Sequence, residues 1–223
     1  MKRLITIFLC FSFLCIPVRG EQTQKLVALT FDDGPSGRYT RKLLDGLRER
    51  NAKATFFLCG YRIEQDPELT ERIFREGHEI GLHGYSHKPL DNMCRADVLQ
   101  ELKKSVSLLP EDCSAVLLRC PGGTCSQCTC SAATSMGLSL VYWSVDPQDW
   151  AKDSASAIAN AVLPQVQDGD IILLHDMSVS SVDAALTIID TLVKQGFRFV
   201  TVSQLAERKG VSLTPGTVYS HFR

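Results

Sequence analysis

The sequence predicts an α/β domain in which parallel strands curl into a barrel of seven units. Seven short apolar runs recur along the chain, and each is followed by a segment with helical spacing of apolar residues. Strands that alternate with helices pair in parallel, and seven of them are enough to form a barrel, although an open doubly wound sheet would give the same alternation. With 223 residues, 44% of them apolar, the chain can bury one large core.

The elements follow one another without interruption. The predicted strands are residues 26–31, 54–59, 78–83, 115–120, 139–145, 170–175 and 197–202. The predicted helices are residues 39–50, 67–76, 95–109, 131–136, 154–168, 181–195 and 203–208. The segment "SSVDAALTIIDTLVKQG" shows the helical pattern best and places Gly196 as a C-cap. No linker or repeat divides the chain, so one domain is expected, with a core of about residues 25–208 and a mobile tail containing His221.

The first twenty residues, "MKRLITIFLCFSFLCIPVRG", have the composition of a secretory signal. Lys2 and Arg3 precede an apolar run, and cleavage is expected near Gly20. A run retained as an anchor is the alternative. In both cases the domain, residues 21–223, is expected to be secreted or held at the cell surface. A formal net charge of −1 gives no basic excess for nucleic acid, and no obligate protein partner is evident.

Cysteines are concentrated in one stretch of the chain. Nine are present, and removal of Cys10 and Cys15 with the signal would leave seven. Five of the seven lie close together: Cys113, Cys120, Cys125, Cys128 and Cys130. Disulfides or reduced thiols are the favoured interpretation, and a thiolate metal clip or a redox pair is the alternative.

Polar residues gather where the predicted strands end. They are Asp32 and Asp33 after the first strand, His83 and His87 after the third, Arg119 after the fourth, Asp146 and Asp149 after the fifth, and His175 and Asp176 after the sixth. In a parallel barrel the carboxyl ends of the strands form one rim, where functional residues collect. The sequence therefore predicts that these side chains converge.

The stretch "VALTFDDGPS" ends a buried strand in two adjacent carboxylates. Like charges at this spacing are costly unless a cation or a proton relieves them, although a solvated turn is the simpler interpretation. "HGYSH" places His83 and His87 four residues apart, close enough to bind one ion. With one carboxylate they form a ligand set that leaves coordination positions open, as a hydrolytic metal requires. If Asp33 is that ligand, Asp32 remains free to act as a base.

Five motifs resemble those of a known family. "TFDDGP", "HGYSH", "RCPGG", "DPQDW" and "LLHD" are similar, in order and approximate spacing, to the motifs of the polysaccharide deacetylases, metal-dependent carbohydrate esterases with the NodB homology domain. The resemblance covers about residues 25–208 and implies the distorted (β/α)7 barrel of that family. It also implies hydrolysis of acetamide groups on an N-acetylated glycan.

The resemblance assigns a role to each matching residue. Asp32 would be the catalytic base, supported by Arg119, and His175 the acid that protonates the leaving amine, with Asp149 behind it. The ligands of a divalent ion, Zn²⁺ or alternatively Co²⁺, would be Asp33, His83 and His87. The substrate-binding groups would be Trp150 and Leu173, which wall a pocket for the acetyl methyl group, and the N–H of Gly122, which stabilises the oxyanion.

Two positions depart from the family pattern. The residue after the first histidine is usually Ser or Thr and here is Gly84, so a hydroxyl that steadies the metal loop is missing. The third motif usually carries an aromatic residue where this chain has Gly122. Glycine preserves the backbone N–H there, but a ring that would line the sugar groove is lost.

Three functions are compatible with these residues. An N-deacetylase acting on peptidoglycan N-acetylglucosamine is favoured because the signal looks bacterial, and chitin-like oligosaccharides or other polysaccharides are alternative substrates. A catalytically silent glycan-binding barrel would require loss of a chemical residue, and none is missing. An iron-dependent oxygenase could use the same ligands, but a free Asp32 and a His175–Asp149 pair suit hydrolysis.

Overall fold

A computed structural model describes residues 24–223, and the predicted signal at residues 1–20 lies outside the described residues. The strands are β1 (Lys25–Asp32), β2 (Thr55–Leu58), β3 (Glu79–Leu82), β4 (Leu117–Leu118), β5 (Ser139–Val141), β6 (Ile171–His175), β7 (Phe197–Val200) and β8 (Val218–Tyr219). The helices are α1 (Arg38–Glu49), α2 (Gly60–Gln65), α3 (Pro67–Arg75), α4 (Arg95–Val106), α5 (Gln127–Ser135), α6 (Ala155–Val162), α7 (Val179–Lys194) and α8 (Val202–Arg208). None of these helices is long and apolar enough to cross a bilayer.

The strands form one curled parallel sheet. Their order is β6–β1–β2–β3–β4–β5–β8, and β7 pairs with β1. The ring closes through a single parallel bridge between Val145, which follows β5, and Ile172 of β6. The structure therefore confirms the predicted distorted barrel and excludes the open doubly wound sheet.

Strand β1 is the centre of the sheet and carries the Asp-Asp pair. Residues 28–32 pair with β6, residues 25–28 with β7 and residues 30–32 with β2. The side chains of Val27, Leu29 and Phe31 pack in the cluster that includes α1 and α7. Those of Leu26 and Ala28 pack with apolar residues of the other strands. Because side chains alternate along a strand, Asp32 and Thr30 point to the same side as Ala28, the inside of the barrel.

The fourth and fifth strands are shorter than predicted. The chain leaves the ladder after Val141 because the guanidinium of Arg119 takes the carbonyls that a strand would use. Its Nε donates to Val141 O at 3.0 Å and its Nη2 to Tyr142 O at 2.8 Å. Helix α2 was not predicted, since it is one short run that ends where Asp66 caps α3 by accepting the N–H of Leu69.

The predicted mobile tail is wrong. Strand β8 pairs in parallel with β5, and His221 forms an antiparallel bridge with Asp170. The side chain of Phe222 is buried against the barrel, and Arg223 makes an ion pair with Asp170 at 2.7 Å. The short apolar pair Val218–Tyr219 and the isolated Phe222 were too weak a signal to predict this packing.

Candidate active site

The polar residues at the strand ends meet at one rim of the barrel. The register of the sheet sets Asp32 beside His175 of β6, and a cavity of about 390 Å³ opens at this rim. The cavity is lined by Asp33, Asp149, Trp150, Lys152, Asp153, His175, Met177, Ser178, Ser180 and Ser181. Asp146, which also follows β5, is instead exposed and accepts the N–H of Gln148 in a turn.

Asp33, His83 and His87, the predicted metal ligands, come together in the structure as a candidate metal-binding group. Their ligand atoms all lie within 4.8 Å of one another. Oδ1 of Asp33 lies 2.9 Å from Nε2 of His87 and 3.3 Å from Nε2 of His83, yet it is buried and accepts no hydrogen bond from the described residues. Burial alone would raise the pKa of Asp33, but the two imidazoles more than offset this and hold its pKa well below the usual value. An ionised oxygen and two ring nitrogens at this spacing fit one divalent cation.

The backbone fixes the tautomer of His83. Its Nδ1 lies 2.8 Å from the carbonyl oxygen of Arg119, and a carbonyl can only accept a hydrogen bond. The Nδ1–H therefore donates to this carbonyl, and Nε2 is the ring atom that faces Asp33. Such a contact orients a ligand and raises its basicity. His83 is buried, whereas the side chain of His87 is 43% exposed.

Asp32 and Arg119 form a buried ion pair beneath the metal-binding group. Nη1 of Arg119 donates to Oδ1 of Asp32 at 2.7 Å and to Oγ1 of Thr30 at 2.7 Å. Burial lowers the pKa of Arg119, and Asp32 counteracts this effect. Oδ1 of Asp32 is thus occupied, while its Oδ2 lies 3.9 Å from Nε2 of His83. The second oxygen is the one available for proton transfer.

His175 and Asp149 form a second pair at the same rim. Asp149 accepts twice from His175, from the ring Nδ1–H at 2.8 Å and from the backbone N–H at 2.9 Å. Burial by itself would lower the pKa of His175, but the hydrogen bond and charge of Asp149 dominate, and the pKa rises to about 9. The imidazolium is therefore the stable form at neutral pH, with its Nε2–H free to donate.

The predicted substrate-binding residues occupy different positions at the rim. Trp150 lines the cavity but is 72% exposed. Leu173 is buried in β6 and shares a face with His175, because the two residues are separated by two positions along the strand. Gly122 is exposed and left-handed, with a φ of 73°, so glycine suits this position for a conformational reason as well.

Two groups support the Asp-Asp turn: Thr30, which sequence reasoning missed, and Asp176, which it placed at the strand ends without a role. Thr30 binds Arg119, and the alternation of side chains along β1 was the signal that could have identified it. Asp176 is fully buried and accepts a hydrogen bond from the Thr40 hydroxyl, which itself accepts the N–H of Ser36. Burial raises the pKa of Asp176 to about 6. A Cβ on Gly34 would lie 2.8 Å from Oδ1 of Asp176, so this carboxyl can pack only against glycine.

The cysteine-rich loop contains one disulfide next to Arg119. Cys120 and Cys125 are bonded, and they enclose Gly122 and Gly123. The other three cysteines of the stretch, Cys113, Cys128 and Cys130, are free, so it contains one disulfide together with reduced thiols, and the pairing argues against a metal clip that would use Cys120 or Cys125. The free cysteines among the described residues are Cys59, Cys94, Cys113, Cys128 and Cys130.

Free-thiol counting tests this pairing. The unreduced, denatured protein lacking residues 1–20 should show the five free thiols of the structure. Reducing the disulfide should raise KM for a polymeric substrate, because it releases the loop that carries Gly122. The free energy of unfolding should fall by only about 2 kcal/mol, since the closed loop is short. Cys94→Ser, which removes an exposed thiol outside the disulfide, is the matched control, and a count of seven would contradict the pairing.

A curled parallel barrel that brings an open metal site and separate acid and base groups to one rim is the arrangement of a hydrolytic metalloenzyme. Comparison with known proteins agrees. The model of the family described as polysaccharide deacetylase matches residues 19–141. The chain belongs to the polysaccharide deacetylase family, whose members are metal-dependent hydrolases of acetylated glycans.

Curated relatives and solved structures both lie within this family. A peptidoglycan-N-acetylglucosamine deacetylase of Bacillus cereus is 39% identical over 83% of this chain and 90% of its own length. A chitooligosaccharide deacetylase of Sinorhizobium fredii is 39% identical over 67% of this chain and 71% of its own length. The peptidoglycan-N-acetylmuramic acid deacetylase PdaC of Bacillus subtilis is 36% identical over 85% of this chain, which spans only 40% of PdaC.

Two solved structures share the whole barrel. The structure of PdaC has a TM-score of 0.80 and 36% identity, and the match covers 84% of this chain and 93% of that one. A family 4 acetyl xylan esterase from Clostridium thermocellum, solved in complex with a cobalt ion, has a TM-score of 0.83 and 32% identity, with 88% of this chain and 98% of that one covered.

Proposed function

We propose that this chain is an extracytoplasmic N-deacetylase that removes acetyl groups from peptidoglycan N-acetylglucosamine. The observation that carries the proposal is the meeting of two separate pairs, Asp32–Arg119 and His175–Asp149, beside the metal-binding group. One pair presents the carboxylate of Asp32 and the other an imidazolium, which are the base and the acid that amide hydrolysis needs. The secretory signal predicted at residues 1–20 supports an extracytoplasmic substrate.

Asp33, His83 and His87 would hold the metal, for which Zn²⁺ is proposed and Co²⁺ is the alternative. When bound, such an ion supplies Lewis acidity that polarises an acetamide carbonyl and eases deprotonation of a water. Two histidines and one carboxylate suit Zn²⁺ and leave positions open for substrate and water.

The residues of the chain divide the proton transfers between them. Oδ2 of Asp32 accepts the proton of the water that attacks the acetamide carbon, because Arg119 already occupies Oδ1. The N–H of Gly122 donates to the oxygen that becomes negative. Nε2–H of His175 then protonates the leaving amine, and Asp149 stabilises the imidazolium until that step. Trp150 and Leu173 provide apolar surface for the acetyl methyl group.

The substrate is proposed from the relatives and from the open form of the rim. The Bacillus cereus relative is a peptidoglycan deacetylase and the Sinorhizobium fredii relative is a chitooligosaccharide deacetylase, so chitin-like oligomers are the second candidate substrate. Gly122 leaves the rim of the cavity without a side chain, and a Cβ there would touch nothing within 4 Å. An open rim suits an extended polymer that enters and leaves the site.

Acetate release from a panel of glycans tests this function. The purified protein, loaded with Zn²⁺, would be assayed on N-acetylated peptidoglycan, N-acetylglucosamine oligomers and acetylated xylan, with a chelator-treated sample as control. The highest kcat/KM is expected on peptidoglycan. Preference for the oligomers would favour the alternative substrate. Binding without acetate release from any of the glycans would favour a silent glycan-binding barrel.

The pH dependence of kcat tests whether Asp149 raises the pKa of His175. The acid must be protonated, so activity is present below its pKa and is lost as the pH rises through that value. Asp149→Asn removes the charge that raises the pKa of His175 to about 9, and the pKa should return towards about 6.5. The alkaline limb of kcat should therefore move to lower pH by at least about one unit.

An NMR titration of the His175 ring in the metal-free protein provides a readout that does not depend on turnover. Asp153→Asn is the matched control, since Asp153 also lines the cavity but makes no ion pair within the described residues. An unchanged limb and an unchanged ring titration in Asp149→Asn would remove Asp149 from this role.

A further inference from the structure

The loop that carries both histidine ligands, residues 83–87, is held in an unusual backbone conformation. Gly84 has a φ of 72° and His87 a φ of 60°, so both are left-handed. Glycine adopts this region freely, but a residue with a side chain does so only when the surroundings impose it. Burial does not impose it on His87, since 43% of its side chain is exposed. Contacts that other residues make with the loop must therefore impose the left-handed conformation.

A carboxylate from outside the loop supplies that restraint. Oε2 of Glu101 accepts the backbone N–H of Tyr85 at 2.9 Å and that of Ser86 at 2.8 Å. The hydroxyl of Ser86 donates to the same carboxylate at 3.0 Å. Three donors from the two residues that precede His87 therefore converge on one ionised group, and such charge-assisted hydrogen bonds are stronger than neutral ones.

The carboxylate stands on a fixed element. Glu101 lies in α4, whose residues Val98, Leu102 and Ser105 are buried. On the other side of the loop, the N–H groups of Gly60 and Tyr61 in α2 donate to the carbonyls of residues 84 and 85. The carbonyls of residues 84 and 85 are thus held by α2, and the N–H groups of residues 85 and 86 are held by Glu101.

The carboxylate of Glu101 lies beside Gly84. A Cβ at residue 84 would lie 3.6 Å from Oε2 of Glu101, so the carboxylate sits directly beside this position. Residues 83–86 have two side-chain hydroxyls: that of Tyr85 binds Glu64, and that of Ser86 binds Glu101. No side chain of the loop therefore replaces what Glu101 contributes.

We propose that Glu101 is a positioning residue for the metal site, which holds His87 in ligand geometry by fixing the backbone of residues 85 and 86. This inference rests on the proposed metal ligation by Asp33, His83 and His87. It makes metal affinity depend on a side chain that touches neither the metal nor the substrate. Mutation of a residue that orients a metal ligand commonly lowers metal affinity about 10- to 100-fold, and a loss of this size is expected here.

The test measures Zn²⁺ affinity by competition with a chromophoric chelator. Glu101→Ala should weaken binding about 10- to 100-fold, and Glu101→Gln, which keeps one acceptor oxygen, should fall between the alanine variant and the wild type. At saturating Zn²⁺ the activity of both variants should recover towards that of the wild type. Thermal unfolding of the metal-free proteins would report any general loss of folding, and Glu101→Gln remains usable if Glu101→Ala does not fold.

The chain offers a matched control for charge and location. Glu64 in α2 accepts the Tyr85 hydroxyl at 2.6 Å and so touches the side chain of the same loop residue but not its backbone. Glu64→Gln should leave Zn²⁺ affinity unchanged. Equal affinity of wild type and both Glu101 variants would overturn the inference, as would an equal loss in Glu64→Gln. Failure of the wild type itself to bind Zn²⁺ would instead overturn the proposed function.

Discussion

Asp32→Asn should lower kcat at least about a hundredfold while the protein still binds its metal. The amide cannot take the proton of the attacking water, whereas the ligand atoms of Asp33, His83 and His87 are untouched. Oδ1 of the asparagine can still accept from Arg119, so the side chain keeps its position. Acetate release and metal content would be measured on the same purified sample.

Folding must be measured alongside, because Arg119 is fully buried and loses its counter-charge in this variant. Removal of one partner of a buried pair typically costs about 3 to 5 kcal/mol, and asparagine should cost less because it keeps the hydrogen bond. Asp146→Asn is the control, since it makes the same substitution at an exposed carboxylate that follows another strand, β5. Turnover at the wild-type level in Asp32→Asn would exclude Asp32 as the base.

His83→Ala should abolish stoichiometric metal binding, and hydrolysis with it. His83 is buried, and its orientation depends on the Arg119 carbonyl, so neither water nor a neighbouring side chain can substitute for the ring. His87→Ala should also lose the metal, and added Zn²⁺ or Co²⁺ should restore it poorly, because a third protein ligand is missing. Metal content after dialysis is the measurement.

His78→Ala separates loss of a ligand from loss of a buried histidine. His78 directly precedes β3, away from the rim, and Nδ1 of its ring accepts the N–H of Ala54 at 3.2 Å. This variant should unfold at a lower temperature yet keep one metal per chain. Stoichiometric metal in dialysed His83→Ala would show that the ligand assignment is wrong.

The barrel and its rim were predictable because both depend on local patterns. The apolar runs fix the strands, and the ends of parallel strands fix where Asp32, His83 and His175 meet. What could not be predicted depends on contacts between distant residues. The early end of β5 follows from the carbonyls that Arg119 takes, and the role of Glu101 follows from a helix that packs beside the histidine loop. Neither leaves a periodic signal in the sequence.

Strand β1 has a further consequence for the order in which the molecule can be assembled. One edge of the strand pairs with β6, and part of the other with β7, so its neighbours include segments near the opposite end of the chain. Such distant pairings are slow to form, because a long loop must close before they contribute. On the ribosome, β1 is synthesised before the other strands, but its pairing with β7 cannot form until Phe197–Val200 has emerged. His175 on β6 is also made late, so the rim is incomplete in every nascent chain that ends before Ile171–His175.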